Sequence, residues 1–374
     1  MEAVKTAAQR RILFFADASS VHTRRWVQSM VERSFECFVA TRLPASIPGA
    51  ADVIALAPGH GAAGWFSAIP QVRALARRIH PQWLHGHYVT SYGLWAAACD
   101  YPAPKLLTAW GSDILVTPRA RGWRGRAMRA LVGWSLRRAS LITADSQDVL
   151  AEIRRYRVHA RCEEVLWGVD IDRFAPGTVA AAGFEVVSLR NWEPNYNIDT
   201  LLRAWALFVA ERPLREPVLH LLGGGPDEAA LRRLTDELGI ARSVRFTGRV
   251  GDTAMVAALQ RARASVSVPS SDATSVSMLE SMACALPVVV SDLPANRAWV
   301  DANSGLTVPA RDEHALAQAL VRLHDNPSWA AEHGARNRER VLQRASRRAQ
   351  FDRMAELYDQ LLAPHPERLA TPAR

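Results

Sequence analysis

Short apolar runs alternate with helical patterns along the whole 374-residue chain. In the first half the runs predict strands at residues 12–15, 37–40, 53–56, 83–85, 106–108 and 141–143. In the second half they predict strands at residues 184–189, 218–222, 244–246, 264–268 and 287–290. Strands that alternate with helices form parallel sheets, so the pattern predicts two α/β domains. Ligands of such sheets bind at the carboxyl ends of the strands.

The pattern weakens over a stretch of small residues between the two halves. We expect a first domain at residues 1–176, a hinge at 177–182 and a second domain at 183–345. Residues 346–374 form a last helix and a tail, because Phe351, Met354, Leu357 and Leu361 recur at helical spacing.

The chain carries a net charge of +9, and this charge is distributed unevenly along it. Residues 1–176 carry 23 Lys and Arg against 14 Asp and Glu, whereas residues 177–374 carry 23 of each. The basic first half favours an anionic partner such as a membrane surface, a phosphorylated acceptor or nucleic acid. No apolar run is long enough to cross a bilayer, and the four cysteines form no disulfide pattern, so we expect a cytoplasmic protein.

A polar turn after the predicted strand 264–268 leads into a helix, which we expect to begin at Thr274 or Ser275. Free backbone N–H groups and the helix dipole favour a phosphate there. Asp272 and Glu280 flank this helix start, and ionised carboxylates bind ribose and sugar hydroxyls well. From spacing alone, an N-cap Asp and a solvated helix Glu are the favoured interpretation of the pair, because caps of this kind are common.

Residues 271–292, SDATSVSMLESMACALPVVVSD, resemble the donor motif of family 4 retaining glycosyltransferases. Residues 167–176, 222–226, 244–249 and 303–306 resemble further motifs of that family, in the same order. The resemblance implies a GT-B fold, in which two Rossmann-like domains face a central cleft and a C-terminal helix crosses back to the first domain. It also implies sugar transfer from a nucleotide sugar with retained configuration and without a metal.

The resemblance implies a role for each residue of the donor segment. Glu280 holds the ribose and Asp272 meets the sugar hydroxyls, while the backbone lines the sugar and phosphate at Ala273, Thr274, Ser275 and Val276. Gly248 belongs to a further donor-side motif. The chain departs from the family where Asp272 replaces Glu and where Ala273 and Ala285 replace Gly, which we expect to narrow the donor pocket.

A predicted strand ends at Arg190, which matches the diphosphate-binding Arg of the family. Guanidinium suits phosphate oxygens, although an ordinary surface salt bridge is the alternative. The family usually places Lys-Gly after this Arg, whereas this chain has Asn195, Tyr196 and Asn197. One cation of the diphosphate clamp is therefore missing, and we expect Asn195 to contribute to donor binding.

Polar residues also follow strands of the first half, where an acceptor would bind. His22, Arg25 and His87 are candidates on the acceptor side, with His87 a candidate for catalysis. Packing is the alternative role for these histidines. Trp110 stands near the position where many family members carry a His, and Asp113 is a candidate to steer the acceptor or accept its proton. Capping of the next helix is the alternative role of Asp113.

Residues 119–138 form a basic segment without an acidic residue. Tryptophans 123 and 134 accompany its arginines, which are Arg119, Arg121, Arg124, Arg126, Arg129, Arg137 and Arg138. Arg and Trp together suit an anionic membrane interface, and a solvated basic face is the alternative. No nucleic-acid motif accompanies the charge, so we expect no nucleic-acid partner.

These features predict a GT-B glycosyltransferase that moves a sugar from a nucleotide sugar to a hydroxyl of a glycan or lipid-linked acceptor. The setting is cell-surface polysaccharide or glycolipid synthesis, at the inner face of the membrane. We expect no cofactor and no metal, since no ligand cluster is visible. Two alternatives remain: a GT-B sugar-nucleotide epimerase, and a catalytically silent homologue that acts as a scaffold.

Overall fold

The computed structural model describes residues 10–56, 61, 63–119, 122–177, 183–212 and 217–362. The chain divides into two compact units, the first comprising Met1–Trp167 with Arg348–Arg374 and the second comprising Gly168–Arg347. Residues 178–182 of the hinge predicted at 177–182, the tail after residue 362 and Arg121 lie outside the described residues.

The units divide at Trp167/Gly168, earlier than the boundary expected at 176. The backbone of Val169 explains this position. Its N–H donates to the carbonyl of Ala345 and its carbonyl accepts from the N–H of Arg347, both at 2.8 Å. Gly168 has a φ of +67°, and a Cβ there would lie 2.5 Å from the Cα of Arg347. The two ends of the second unit are therefore tied together at a position that only glycine fits.

The first unit contains a parallel sheet in the order β3-β2-β1-β4-β5-β6-β7. Its strands are β1 (Arg11–Phe15), β2 (Glu36–Thr41), β3 (Asp52–Ala55), β4 (Trp83–His87), β5 (Lys105–Thr108), β6 (Leu141–Ala144) and β7 (Arg161–Glu164). The helices between them are α1 (Val21–Val31), α2 (Ala63–Ser67), α3 (Ile69–Ile79), α4 (Tyr92–Ala98), α5 (Ser112–Leu115), α6 (Gly122–Leu136) and α7 (Gln147–Arg154).

The second unit contains a parallel sheet in the order β10-β9-β8-β11-β12-β13. Its strands are β8 (Glu185–Ser188), β9 (Val218–Leu221), β10 (Val244–Phe246), β11 (Ala264–Ser267), β12 (Val288–Ser291) and β13 (Gly305–Val308). The helices are α8 (Ile198–Glu211), α9 (Glu228–Glu237), α10 (Asp252–Arg261), α11 (Val276–Ala283), α12 (Pro294–Arg297), α13 (Glu313–Asp325) and α14 (Pro327–Arg344).

Every predicted strand is present, and β7 and β13 are the strands that the apolar runs missed. β7 is an edge strand with the sequence RCEE, whose outer residues are exposed. A central strand such as β1 is buried on both faces and therefore reads as a continuous apolar run. An edge strand has no such requirement, so its sequence carries no apolar signal.

The last helix, α15 (Arg347–Leu362), packs within the first unit, as expected. It buries Phe351, Met354, Leu357 and Tyr358. The Tyr358 hydroxyl lies 2.5 Å from Nδ1 of His85 in β4, and the Tyr358 carbonyl accepts from the Trp83 indole at 2.8 Å. Across the described ranges, no helix is long and apolar enough to span a membrane.

Candidate functional site

The site predicted in the second unit forms where two neighbouring strands end. β8 and β11 are adjacent in the sheet, and Arg190 follows one while Asp272 follows the other. Nη2 of Arg190 lies 2.6 Å from Oδ2 of Asp272. The structure therefore brings these two predicted residues together, although 82 positions separate them in the chain.

Arg190 is almost fully buried, at 8% exposure, and binds the start of α11 as well as Asp272. Its Nη1 donates to Oγ of Ser275 at 2.5 Å and to Oγ of Ser277 at 3.3 Å. The guanidinium stacks on the ring of Tyr196, 4.4 Å from its centroid. Its buried Nε has no hydrogen-bond partner within the described part of the chain. This burial excludes the surface salt bridge.

Ser275 is the N-cap of α11, and its hydroxyl accepts from the N–H of Met278 at 3.3 Å. The helix start was therefore predicted correctly, and the N-cap role considered for Asp272 falls to Ser275. Thr274, Ser275 and Ala273 are buried beside Val276, the first residue of α11. The free N–H groups of this first turn give the site a positive electrostatic potential.

Glu280 lies in the second turn of α11 and is only 4% exposed. This burial excludes the solvated helix position that spacing alone allowed. The pKa of neighbouring Cys284 is raised to about 12, first by burial and then by the charge of Glu280. That thiol therefore stays protonated and uncharged next to the carboxylate.

Asn195 holds the turn that carries Asp272. The side-chain amide of Asn195 donates to the backbone carbonyl of Ser271 at 2.9 Å. The backbone carbonyl of Asn195 accepts from the N–H of Ser270 at 2.7 Å. Asn197, with a φ of +50°, donates to the carbonyl of Val268 at 2.8 Å. Both asparagines therefore join the loop after β8 to the loop after β11, which is a positioning role.

Gly248 belongs to a loop that lies against the end of β9. Its carbonyl accepts from the N–H of Gly223 at 3.0 Å. A Cβ at Gly223 would lie 2.2 Å from the carbonyl oxygen of Arg190, so this position must be glycine. The glycines therefore bring the β9 loop against the backbone of Arg190.

Ala285 lies at the other end of α11 from the N-terminal turn, so our expectation that it narrows the donor pocket is wrong. Its N–H donates to Met282, and its carbonyl lies against Gly334, where a Cβ would come within 2.0 Å. Ala285 has a φ of +58°, which explains why a glycine suits this position.

Ser277 and Tyr196 contact Arg190 but were not predicted as site residues. The hydroxyl of Ser277 also lies 3.0 Å from that of Ser275. The chain offered one signal for Ser277, namely a second serine two positions after the N-cap. For Tyr196 the signal was its place where the family carries Lys-Gly, but its contact with Arg190 depends on the path of the loop after β8.

In the first unit, His87 lies at the end of β4 in an aromatic cluster. Its ring packs against Trp26, Trp110 and Trp167, at centroid distances of 5.0, 5.9 and 6.1 Å. Its side chain is fully buried, and neither ring nitrogen has a hydrogen-bond partner among the described residues. Burial, and secondarily the charge of His22, lowers the pKa of His87 to about 3. His87 is therefore a neutral, buried imidazole.

His22 shares this cluster, whereas Arg25 lies further along α1. The His22 ring is 4.9 Å from Trp167 and 5.7 Å from Trp110. Arg25 is half-buried, one residue before Trp26. The structure thus brings His22 and His87 together around Trp110 and Trp167.

Asp113 is fully buried in α5 and binds two backbone amides. Oδ2 accepts from Val89 at 2.7 Å and Oδ1 accepts from Trp110 at 3.0 Å. Burial raises its pKa to about 6, and the backbone hydrogen bonds oppose this rise. The carboxylate fixes the loops after β4 and β5. The N-cap of α5 is Gly111, so Asp113 is not the capping residue of this helix.

No group of three or more His, Cys, Asp or Glu side chains in the described ranges is arranged to hold a metal ion. The side chains that hydrogen-bond to Arg190 are the Asp272 carboxylate and the hydroxyls of Ser275 and Ser277.

Two family models match the chain. Glycosyl transferase 4-like matches residues 11–146, and Glycosyl transferases group 1 matches residues 184–326. Between them they cover most of each unit. The second match includes Arg190, Asp272 and Glu280.

Curated relatives carry glycosyltransferase names. A D-inositol 3-phosphate glycosyltransferase of Saccharomonospora viridis is 35% identical over 216 residues, which are 52% of this chain and 49% of that protein. A GDP-mannose-dependent alpha-(1-6)-phosphatidylinositol monomannoside mannosyltransferase of Mycolicibacterium smegmatis is 29% identical, over 60% of this chain and 67% of that protein. The chain spans about half the length of the first of these relatives.

Solved structures show the fold over nearly the whole chain. Sucrose-phosphate synthase of Thermosynechococcus elongatus matches with a TM-score of 0.80 at 19% identity, covering 94% of this chain and 99% of that one. Anabaena HepE in complex with UDP-glucose matches with a TM-score of 0.79 at 15% identity, with the same coverage. These matches confirm the predicted GT-B fold class. The two family models, which match residues 11–146 and 184–326, show that the chain belongs to the group 1 (family 4-like) glycosyltransferases.

Proposed function

We propose that this protein transfers a sugar from a nucleotide sugar to a hydroxyl group of a glycan or lipid-linked acceptor, in the synthesis of a cell-surface polysaccharide or glycolipid. The observation that carries this proposal is the buried Arg190, held between Asp272 and the N-terminal turn of α11. Relatives named for transfer to inositol phosphate, phosphatidylinositol monomannoside and O-antigen support the acceptor class.

The donor diphosphate would lie at the start of α11. The helix-start N–H groups and Arg190 both stabilise negative charge, which develops on the diphosphate as the sugar leaves. Asp272 would accept hydrogen bonds from sugar hydroxyls, and Glu280 from ribose hydroxyls. Donor binding also gives the unpaired Nε of Arg190 a phosphate oxygen to bind.

We propose that the reaction retains the anomeric configuration and needs neither a metal nor another cofactor. Arg190 and the α11 dipole supply the positive charge that a bound cation supplies in metal-dependent enzymes. His22, His87 and Asp113 are assigned to the acceptor side, where their observed packing makes them positioning residues. An epimerase and a silent scaffold are not favoured, because the chain retains both Arg190 and Glu280 and both are buried.

A donor panel tests the proposal. Purified protein is incubated with UDP-, GDP- and ADP-sugars in EDTA, with a crude lipid and glycan extract as acceptor, and released nucleoside diphosphate is measured. We expect one donor to be consumed in EDTA, and NMR of the product to show the anomeric configuration of the donor. Arg190→Ala should abolish turnover, whereas Arg232→Ala, an exposed arginine of the same unit, should not. Turnover only when EDTA is replaced by magnesium or manganese would refute the metal-independent reaction, and absence of turnover under both conditions with every donor would refute the enzyme proposal.

We also propose that the protein works on the cytoplasmic face of a membrane, to which α6 attaches it peripherally. Trp123 of α6 is 69% exposed, and Arg124 lies over its ring. Val116, seven positions earlier in the chain, is 50% exposed. Exposed aromatic residues beside arginines bind anionic lipid surfaces. Flotation with anionic liposomes should carry wild-type protein but not Trp123→Ser, while Phe66→Ser, which removes an exposed ring elsewhere, should float normally. Equal flotation of all three proteins would contradict attachment through α6.

A further inference from the structure

A basic cavity of about 690 Å³ opens in the first unit beside α6 and the end of α7. Its charged lining consists of Arg119, Arg126, Arg129, Arg137, Arg155 and Glu152. The residues that bind the donor in our proposal belong to the second unit, so this cavity is a separate feature. Neither the proposed reaction nor the exposed Trp123 explains it.

The charges of this cavity are not balanced. Glu152 is its one acidic lining residue, and it already pairs with Arg155 at 2.7 Å and with Arg119 at 3.2 Å. Arg126, Arg129 and Arg137 form no ion pair with any residue that the structure describes. Like charges held at one concave surface repel one another and concentrate anions from solution. The cavity therefore carries an excess of positive charge that a bound anion would neutralise.

Helix α6 has a glycine, Gly133, in the wall of the cavity. A Cβ at Gly133 would lie 3.0 Å from Nη1 of Arg137 and 3.1 Å from Cδ1 of Tyr156, so the glycine lets both side chains lie close to the helix. Arg129 donates to the carbonyl of Pro118 at 3.4 Å, which holds its guanidinium at the rim. Burial raises the pKa of Tyr156, so its hydroxyl remains a hydrogen-bond donor.

The donor groups define the chemistry of the ligand. Guanidinium groups pair with phosphate oxygens through two parallel hydrogen bonds, and several converging guanidiniums favour a multiply charged phosphate over a single carboxylate. The volume exceeds that of one phosphate ion. We propose that this cavity binds a phosphate monoester or diphosphate group, carried either by a soluble phosphorylated molecule or by a lipid headgroup.

Titration of the full-length protein with inorganic pyrophosphate by calorimetry tests the proposal. One variant combines Arg126→Gln, Arg129→Gln and Arg137→Gln, which line the cavity. The matched control combines Arg78→Gln, Arg154→Gln and Arg157→Gln, exposed arginines of the same unit that remove the same charge without lining the cavity. Both variants keep the second unit intact, so any binding there is common to both and the difference between them reports on the cavity.

We expect the cavity variant to bind pyrophosphate at least about tenfold more weakly than the control variant, because each charge-assisted hydrogen bond contributes on the order of tenfold in affinity. Wild-type affinity should fall as salt is raised. Equal losses in the two variants would overturn the proposal, because the effect would then come from net charge alone. The proposal would also be overturned if wild-type protein bound pyrophosphate no more tightly than the cavity variant does.

Vesicles of phosphatidylcholine with phosphatidic acid identify the source of the phosphate. If the headgroup occupies the cavity, pyrophosphate should displace wild-type protein from these vesicles and the cavity variant should bind them more weakly than the control variant. If the ligand is soluble, both variants should bind vesicles alike while differing toward pyrophosphate. Because nucleotide binding belongs to the other unit, it should be unchanged in the cavity variant even if the proposed reaction proves wrong.

Discussion

Nη2 of Arg190 lies 2.6 Å from Oδ2 of Asp272, so the carboxylate occupies part of the guanidinium fork. The arginine is buried and the aspartate is about one-fifth exposed. A bound diphosphate must share the N–H donors of Arg190 with Asp272, or displace the Asp272 carboxylate toward the sugar. The pair therefore couples the proposed diphosphate-binding group to the proposed sugar-binding group.

Arg190→Ala should weaken binding of the correct nucleoside diphosphate by roughly tenfold to a hundredfold, since charge-assisted hydrogen bonds contribute about 1.5–3 kcal/mol. Arg190→Lys should recover only part of this, because an ammonium group cannot bind both Asp272 and Ser275 in a planar fork. Calorimetry with the nucleotide measures both effects.

Arg232→Ala is the matched control, since Arg232 is an exposed arginine of α9 in the same unit, paired with Glu228. It should bind nucleotide like wild type. Unchanged affinity in Arg190→Ala, with circular dichroism showing an intact fold, would remove Arg190 from the donor site.

Asp113 should make the protein lose stability as pH rises from about 4 to 6. Burial raises its folded-state pKa to about 6, above its ordinary value of 3.8. The unfolded chain therefore releases the proton at a lower pH than the folded protein does. The contribution of Asp113 to the free energy of unfolding is fully present below pH 3.8 and is lost as pH rises to 6. The loss amounts to about 3 kcal/mol at most. Urea unfolding of wild type and Asp113→Asn at pH 4, 5, 6 and 7 isolates this contribution.

Asp113→Asn should also destabilise the protein at pH 4, by about 1–3 kcal/mol, because its NH2 group would face one of the two backbone N–H donors of Val89 and Trp110. Exposed Asp52→Asn in β3 is the control and should leave the pH profile unchanged. A wild-type profile identical to that of Asp113→Asn would show that the carboxylate titrates normally.

The sequence predicted the sheets and the start of α11 because both leave local signals. Buried central strands read as apolar runs, and Ser275 with the free N–H groups after it is a local cap. The contacts of Arg190 with Tyr196 and Ser277 were not predictable, because they depend on how two neighbouring strands place their loops.

The roles of His87 and Asp113 were left open by the sequence for a similar reason. His87 ends β4, and its complete burial arises from packing against distant residues such as Trp26 and Trp167. Asp113 follows β5, and its contact with Val89 depends on the loop after a neighbouring strand. The strand-end signal therefore located both residues at the correct edge of the sheet without deciding between packing and chemistry.

Ala285→Gly should stabilise the protein by about 0.5–1 kcal/mol. Ala285 has a φ of +58°, and the left-handed conformation costs a residue with a Cβ about 1–2 kcal/mol. The greater freedom of glycine in the unfolded chain offsets part of that gain. Thermal and urea unfolding measure the change.

Ala283→Gly is the matched control, since Ala283 lies in the last turn of α11 with a helical backbone. It should destabilise the protein by about 1 kcal/mol. Nucleotide affinity should be unchanged in Ala285→Gly, because Ala285 lies beyond the C-terminal end of α11, away from the proposed donor site. Loss of stability in Ala285→Gly would contradict the left-handed conformation.

His87→Phe should reduce the loss of stability on acidification. Burial lowers the folded-state pKa of His87 to about 3, below the ordinary value of 6.5. As pH falls below 6.5, the unfolded chain binds a proton at His87 that the folded protein excludes. The contribution of the neutral His87 to the free energy of unfolding is fully present above pH 6.5 and is lost as pH falls toward 3. At pH 5 this costs about 2 kcal/mol. Phenylalanine keeps an aromatic ring among Trp26, Trp110 and Trp167 and has no proton to exclude.

The measurement is the difference in unfolding free energy between His87→Phe and wild type, taken at pH 7.5 and at pH 5. This difference should shift by about 2 kcal/mol in favour of the variant at pH 5. Replacement of the exposed His159 by phenylalanine should show no comparable shift. A constant difference at the two pH values would mean that His87 takes up a proton in the folded protein. Its two unpaired nitrogens would then have access to water or to an acceptor, and the catalytic role first considered for His87 would regain support over packing.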